Sequence, residues 1–205
     1  QIINQTDDIV SEMVSGLTRA YPDFVKRLDG TNVLVKTEQT SQVQLISGGG
    51  SGHEPSHAGF IGDGMLAAAV CGEVFTSPTP DQIYEAAKAV DTGSGVFFII
   101  KNYSGDVMNF DMAKDMAEMA DIQVEFVIVD DDIAVENSTY TQGKRGVAGT
   151  VLVHKILGNL ARSGADLVTI KQAADKLVPE IHTIAVALSG ATVPEVGKPG
   201  FVLPE

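Results

Sequence analysis

Residues 43–60 read VQLISGGGSGHEPSHAGF: an apolar run that breaks into three consecutive glycines, followed by Ser51, Gly52, His53, Glu54 and Pro55. The VQLISG portion is short, apolar and bounded by polar or glycine residues, which predicts a strand. The glycines predict a turn in which positive φ and close backbone approach to a small ligand are allowed. Ligands of open α/β sheets gather outside the carboxyl ends of strands. The stretch therefore raises both a fold and a site.

Working outward, the same alternation repeats. NVLVKT precedes the stretch as another short strand. Upstream of it, Thr6-Asp7-Asp8 resembles a cap, and Ile9, Met13, Leu17 and Tyr21 recur at helical spacing. Downstream, MLAAAVCGEVF is apolar and ambiguous between helix and strand. TSPTPDQIYEAAKAVD predicts a helix with Thr79 as N-cap, Pro80 at N1 and Gln82 at N3 in a capping box. GVFFIIKNY reads as a strand covered on both faces. SGDVMNFDMAKDMAEMA predicts a helix with Val107, Phe110, Met112 and Met116 on its apolar side. VEFVIVDDDIAV predicts a buried strand running into three aspartates. KRGVAGTVLVHKILGNLARSG and LVTIKQAADKLVPEI predict helices, and HTIAVALSG a further strand.

Strands alternating with helices predict an α/β fold with a mostly parallel or mixed sheet flanked by helices. The Pro- and Gly-rich tail ATVPEVGKPGFVLPE follows a predicted strand without returning to a helix. We read residues 1–180 as an N-terminal α/β domain carrying the glycine loop. Residues 181–205 read as the beginning of a second substrate-binding α/β domain, interrupted at Glu205. Gln1 is not an initiator methionine, so the first residues of the protein are expected to be missing.

Composition narrows the partners. Of the 205 residues, 14 are Lys or Arg and 27 are Asp or Glu, for a formal charge of -13. Such a chain repels phosphate backbones, which argues against nucleic acid and anionic membrane as partners. The single cysteine, Cys71, sits in an apolar run and cannot form an intramolecular disulfide, which fits a cytoplasmic setting. It reads as a small buried hydrophobe. No apolar stretch reaches transmembrane length.

Three polar turns follow three apolar strands: the glycine loop, KNYSGD and DDD. Their convergence in one crevice is the expected site. A P-loop requires Gly-Lys followed by Ser or Thr, whereas Gly52 is followed by His53 and Glu54. The dinucleotide fingerprint is matched only loosely. A GxSxG nucleophile elbow is absent, so a hydrolase using Ser47 or Ser51 is disfavoured. From spacing alone, a structural turn and a ligand loop remain equally open. His53 tips the reading, because a histidine on a tight loop suits general acid–base work near neutrality. Its bland alternative is a histidine bonded to backbone. His57, four residues on, lacks a third ligand for metal, and no metal is expected. Asp106 can cap a helix, accept a hydroxyl hydrogen bond or assist proton transfer. Lys101 can neutralise a phosphoryl group or simply reach solvent. The aspartates 130–132 read as solvated or capping rather than as magnesium ligands.

SGGGSGHEPSHAGFIGDGMLAAAVCGEVFTSPTPDQI, IIKNYSGDVMNF, VDDDIAV and ALSGATVPEVGKPGFVLPE, in that order, resemble the K (dihydroxyacetone-binding) subunit family of dihydroxyacetone kinases. The resemblance runs through the whole chain. It implies that Gly50, Ser51, Gly52 and His53 form the substrate-binding loop, with His53 the general base. It also implies that Lys101 and Asp106 contact substrate, Asp106 sharing in acid–base chemistry. The family holds its substrate as a hemiaminal on a second histidine in a GIHGEP-like motif. None of His53, His57, His154 and His182 lies in such a motif, so the covalent histidine is not expected in this chain. The implied activity is phosphorylation of dihydroxyacetone by a nucleotide-binding kinase subunit. ADP or ATP with magnesium is expected on that partner or on a partner domain, and none on this chain. A homodimer is implied. The alternative is a non-catalytic dihydroxyacetone-binding coactivator of a transcription factor.

Overall fold

The computed structural model describes residues 3–134 and 143–202. A helix α1 (Ile9–Ala20) opens the fold, followed by the short strands β1 (Val25–Arg27) and β2 (Val33–Lys36). β3 (Gln44–Ser51), β4 (Ala68–Val74), α2 (Pro80–Val90), β5 (Val96–Lys101), α3 (Ser104–Glu118) and β6 (Val124–Val129) then build the centre. Two helices, α4 (Thr150–Arg162) and α5 (Leu167–Leu177), complete the described elements. The strands form one sheet in the order β1-β2-β4-β3-β5-β6. β4, β3, β5 and β6 run parallel, while β2 joins β4, and β1 joins β2, antiparallel. The sheet is thus mixed and flanked by helices, as the alternation of segments predicts.

Successive strand residues point to opposite faces, so each central strand feeds two cores. On one face Ile46, Val70, Phe98, Ile100 and Val124 pack against Ile83, Ala86, Ala87 and Val90 of α2, and Phe110, Ala113 and Ala117 of α3. On the other, Leu45, Phe97, Ile99, Val127 and Val129 meet Val153, Leu157 and Ala161 of α4, and Ile170 and Ala174 of α5. α1 covers Leu34, Ala69 and Cys71 through Val10 and Val14. Burial on both faces explains why the strands read as near-continuous apolar runs.

Several elements differ from their sequence reading. The three glycines are not a loop: Gly48, Gly49 and Gly50 continue β3 and pair with Val70, Cys71 and Gly72 of β4. A Cβ on Gly48 would stand 2.6 Å from Val70 O, and one on Gly50 2.6 Å from Thr76 N, so close backbone passage requires both glycines. Positive φ falls instead on Gly52, at 117°. The ambiguous MLAAAVCGEVF contains strand β4. In α3 the buried stripe is Asp106, Phe110, Ala113 and Ala117, while Met112 faces solvent. The capping box at α2 does not form. Gln82 accepts from the backbone N–H of Asn32 at 3.2 Å and donates its amide to the Thr79 hydroxyl at 3.4 Å, so the Thr79 side chain makes no bond to the helix backbone.

HTIAVALSG forms no strand. Thr183 makes one isolated bridge with Asp132, and Ile184, Val186 and Leu188 are exposed. Apart from that bridge, which lies just beyond the end of β6, the segment pairs with no strand of the sheet among the described residues. Residues 203–205 of the predicted interrupted tail lie outside the described residues. Among the described residues, no helix is long and apolar enough to cross a membrane.

Candidate active site

The carboxyl ends of β3 and β5 lie side by side, and the segments leaving them build a cavity of about 490 Å³. β3 delivers Gly50 and, past its end, His53. β5 ends on Lys101, and the first turn of α3 delivers Asp106. Residues 146–148, leading into α4, form the far wall. Asp131 fixes that wall. It is buried, and it accepts from the backbone N–H groups of Val147 (2.8 Å) and Gly149 (2.7 Å) and from the Thr183 hydroxyl (2.6 Å). The aspartate run after β6 is therefore a backbone anchor at Asp131. No group of three or more His, Cys, Asp or Glu suited to a metal is present among the described residues.

Lys101 is only 6% exposed, yet it has no carboxylate within ion-pair distance among the described residues. Its ammonium bonds His53 Nε2 and lies 5.4 Å from the centre of the Tyr103 ring. Burial lowers its pKa, opposed by the negative charges of Asp106 and Asp131. For His53, burial is again the first cause of a lowered pKa, with Lys101 adding to it and Glu54 opposing. The imidazole is therefore kept neutral, the form a general base requires. Asp106 is 3% exposed, and burial raises its pKa, while a bond from Ser77 and the Lys101 charge pull it down. Its Oδ1 has no hydrogen-bond partner among the described residues. Unpaired buried acceptors and shifted titrations are features that functional sites share.

Of the residues expected to bind substrate, His53, Lys101, Asp106 and Gly50 line this cavity. Ser51 and Gly52 do not. The Ser51 hydroxyl donates to Gly72 O at 2.7 Å, securing β3 to the chain beside it. Gly52 N–H donates to Glu54 Oε1 at 3.0 Å. Both residues border a second hollow beside α1 instead. The reason is geometric: β3 runs on through the glycines, so the turn begins later than composition suggests. Phe75, Ser77 and Tyr103 line the cavity without having been singled out. Tyr103 lies within KNYSGD and Ser77 within the TSPTP helix start, and membership of those segments was the available signal. Ser47 lies 3.3 Å from His57 Nδ1 but donates to Ile99 O at 2.7 Å and is fully buried, so it is no nucleophile.

Residues 15–205 match the Dak1 domain. The chain belongs to the Dak1 domain family. This Dak1 chain is 65% identical over 204 residues to the PTS-dependent dihydroxyacetone kinase, dihydroxyacetone-binding subunit DhaK, of Lactococcus lactis. That match covers 99% of the chain and 61% of the relative. Identity to the PEP-dependent dihydroxyacetone kinase, dihydroxyacetone-binding subunit DhaK, of Escherichia coli is 46%, covering 99% of the chain and 57% of the relative. The Dak1 chain thus spans about three-fifths of the length of these relatives. Among solved structures, the dihydroxyacetone kinase operon co-activator Dha-DhaQ superposes with a TM-score of 0.88 at 43% identity, over 94% of this chain and 59% of that one. The dihydroxyacetone kinase from C. freundii in complex with AMP-PNP and Mg2+ gives 0.82 at 41% identity, over 87% of this chain and 34% of that one.

Proposed function

We propose that this Dak1 chain belongs to the dihydroxyacetone-binding subunit of a dihydroxyacetone kinase, and presents a substrate hydroxyl to a nucleotide-carrying partner. The observation that carries the reading is the convergence of neutral His53, buried Lys101 and buried Asp106 in one cavity. Dihydroxyacetone is small, uncharged and rich in hydroxyls, so three polar side chains and nearby backbone suffice to orient it. A hydroxyl arriving at His53 Nε2 displaces the Lys101 ammonium from that nitrogen. His53 then takes the hydroxyl proton as the oxygen attacks phosphorus and the bond to the leaving nucleotide breaks. The product is dihydroxyacetone phosphate. Lys101 is then placed to neutralise charge on the transferring group, since phosphoryl transfer depends on positioning and charge compensation.

The nucleotide, ATP or a bound ADP rephosphorylated in place, belongs with magnesium on the partner in this reading, because the chain has no lysine-bearing phosphate loop. The subunit is cytoplasmic and homodimeric, and residues 181–205 begin a second unit. None of the four histidines is assigned a covalent role. A coactivator resembling DhaQ is the second reading. The 65% identity to a kinase subunit, against 43% to the co-activator, favours the first.

The test is dihydroxyacetone binding and its phosphorylation with the partner subunit. His53→Ala is expected to keep binding while turnover falls about 10²–10⁴-fold, the usual contribution of a positioned base. Unchanged turnover in that variant removes the base assignment. Binding without phosphorylation by the unaltered protein selects the coactivator.

A further inference from the structure

Three histidines form a ladder from the core to the cavity. His154 on α4 is fully buried, His57 is 4% exposed, and His53 stands at the mouth. The rings of His154 and His57 meet at 5.3 Å and 68°, and those of His57 and His53 at 5.9 Å and 90°. His57 Nδ1 lies 3.1 Å from His154 Nε2 and 3.3 Å from Ser47 Oγ. Ser47 donates its hydroxyl hydrogen to Ile99 O, so its oxygen meets Nδ1 as an acceptor. With the ring proton on Nδ1, shared between Ser47 Oγ and His154 Nε2, His57 Nε2 is a bare acceptor.

His57 Nε2 is buried and has no hydrogen-bond partner among the described residues. Leaving such a group unsatisfied is costly, so its surroundings matter. A methyl placed on Gly49 would stand 3.5 Å from Asp106 Oδ2, 3.6 Å from Lys101 Cε and 3.7 Å from His57 Nε2. One small spot over the β3 backbone is therefore ringed by a carboxylate, an ammonium stem and an imidazole acceptor.

We propose that His57 is a positioning residue: braced at Nδ1, it holds the His53 ring edge-on and accepts at Nε2 from one hydroxyl seated over Gly49 between Lys101 and Asp106. The hydroxyl donates to Nε2 and accepts from Lys101. Water and an alcohol group of the acceptor substrate share this chemistry. The seat keeps the Lys101–Asp106 pair in register with the base. In its catalytic consequence the inference rests on the function proposed above.

Two amides separate the ring's two nitrogens. Asparagine at position 57 reproduces the Nδ1 donor but not Nε2, whereas glutamine reaches the Nε2 position. His57→Asn is expected to stay folded, shift the NMR titration midpoint of His53 and lower kcat about 10–10²-fold, the scale of an ångström misplacement. His57→Gln is expected to restore most of both. Gly49→Ala fills the seat without replacing a histidine, and its Cβ contacts are ordinary ones. It should shift the His53 titration and lower kcat in the same direction. A ¹⁵N signal of His57 that moves on adding dihydroxyacetone identifies the substrate as source of the hydroxyl, and an unmoved signal identifies water. If His57→Asn and Gly49→Ala match the parent protein in His53 titration and turnover, His57 is merely structural. Should the unaltered protein phosphorylate no dihydroxyacetone, the function reading fails separately. The His53 titrations of the variants then still decide this inference.

Discussion

Adjacent glycines in β3 show how sharply consequence depends on position. At Gly48 an added Cβ would press on a carbonyl oxygen, Val70 O, at 2.6 Å, and on Val70 Cβ at 3.0 Å. Neither can retreat, because both belong to a paired central strand. Gly48→Ala is therefore expected to destabilise the fold by about 1–3 kcal/mol, the range of overpacked cores, measured by denaturant unfolding. Stability equal to the parent protein would show that β4 yields more readily than its pairing suggests. Gly49→Ala meets only side-chain atoms at 3.5 Å and beyond, so its effect belongs to function. His53, Lys101 and Asp106 were legible individually, since each ends a strand or opens a helix beside a turn. That Lys101 would bond His53 rather than a carboxylate was not legible, because the contact spans 48 positions of sequence. The partition of Ser51 and Gly52 away from the cavity was hidden for a related reason. Composition marks glycines as a turn, but only pairing decides where a strand stops.

At the scale of elements, strands with continuous apolar runs, such as β5, were the most legible, since burial on both faces leaves no other use for them. The helix α3 was placed correctly, and Phe110 and Val107 pack on the core as expected, but Met112 does not: the small residues Ala113 and Ala117 face the sheet, where tight packing suits them better than methionine. HTIAVALSG misled because a run of apolar residues reads as a strand whether or not it pairs with a sheet. Its side chains Ile184, Val186 and Leu188 stand in solvent, and Val202 farther along does too. Backbone carrying few packed contacts opens cheaply to proteases. Limited proteolysis of this chain is expected to cut first within residues 184–202, leaving the sheet and its five helices intact. Initial cleavage elsewhere, with this segment protected, would count against its belonging to a separate unit.

The whole molecule carries its proton chemistry in its core. Burial is the first cause holding His154 at a pKa of about 3 and His57 well below the ordinary histidine value of 6.5. Below pH 6.5 the unfolded chain takes up protons that these folded histidines refuse, so stability falls as pH drops from 6.5 towards 3. Each such histidine contributes a slope of up to about 1.4 kcal/mol per pH unit. Asp106 works the other way. Its raised pKa costs stability above the unfolded value of 3.8, a cost relieved on acidification, but one carboxyl opposes two histidines. Urea unfolding at pH 7, 6 and 5 is expected to show a steep loss, and His154→Leu a shallower one. Equal slopes would place the acid sensitivity elsewhere. Cys71, enclosed between β4 and α1, has its thiol pushed up to about 12 by burial. Almost no thiolate exists there at neutral pH, and the sulfur is largely covered while α1 is seated. The chain's one cysteine is thereby a clock for that layer: its rate of alkylation times the lifting of α1, and adding substrate reveals whether occupying the site slows it.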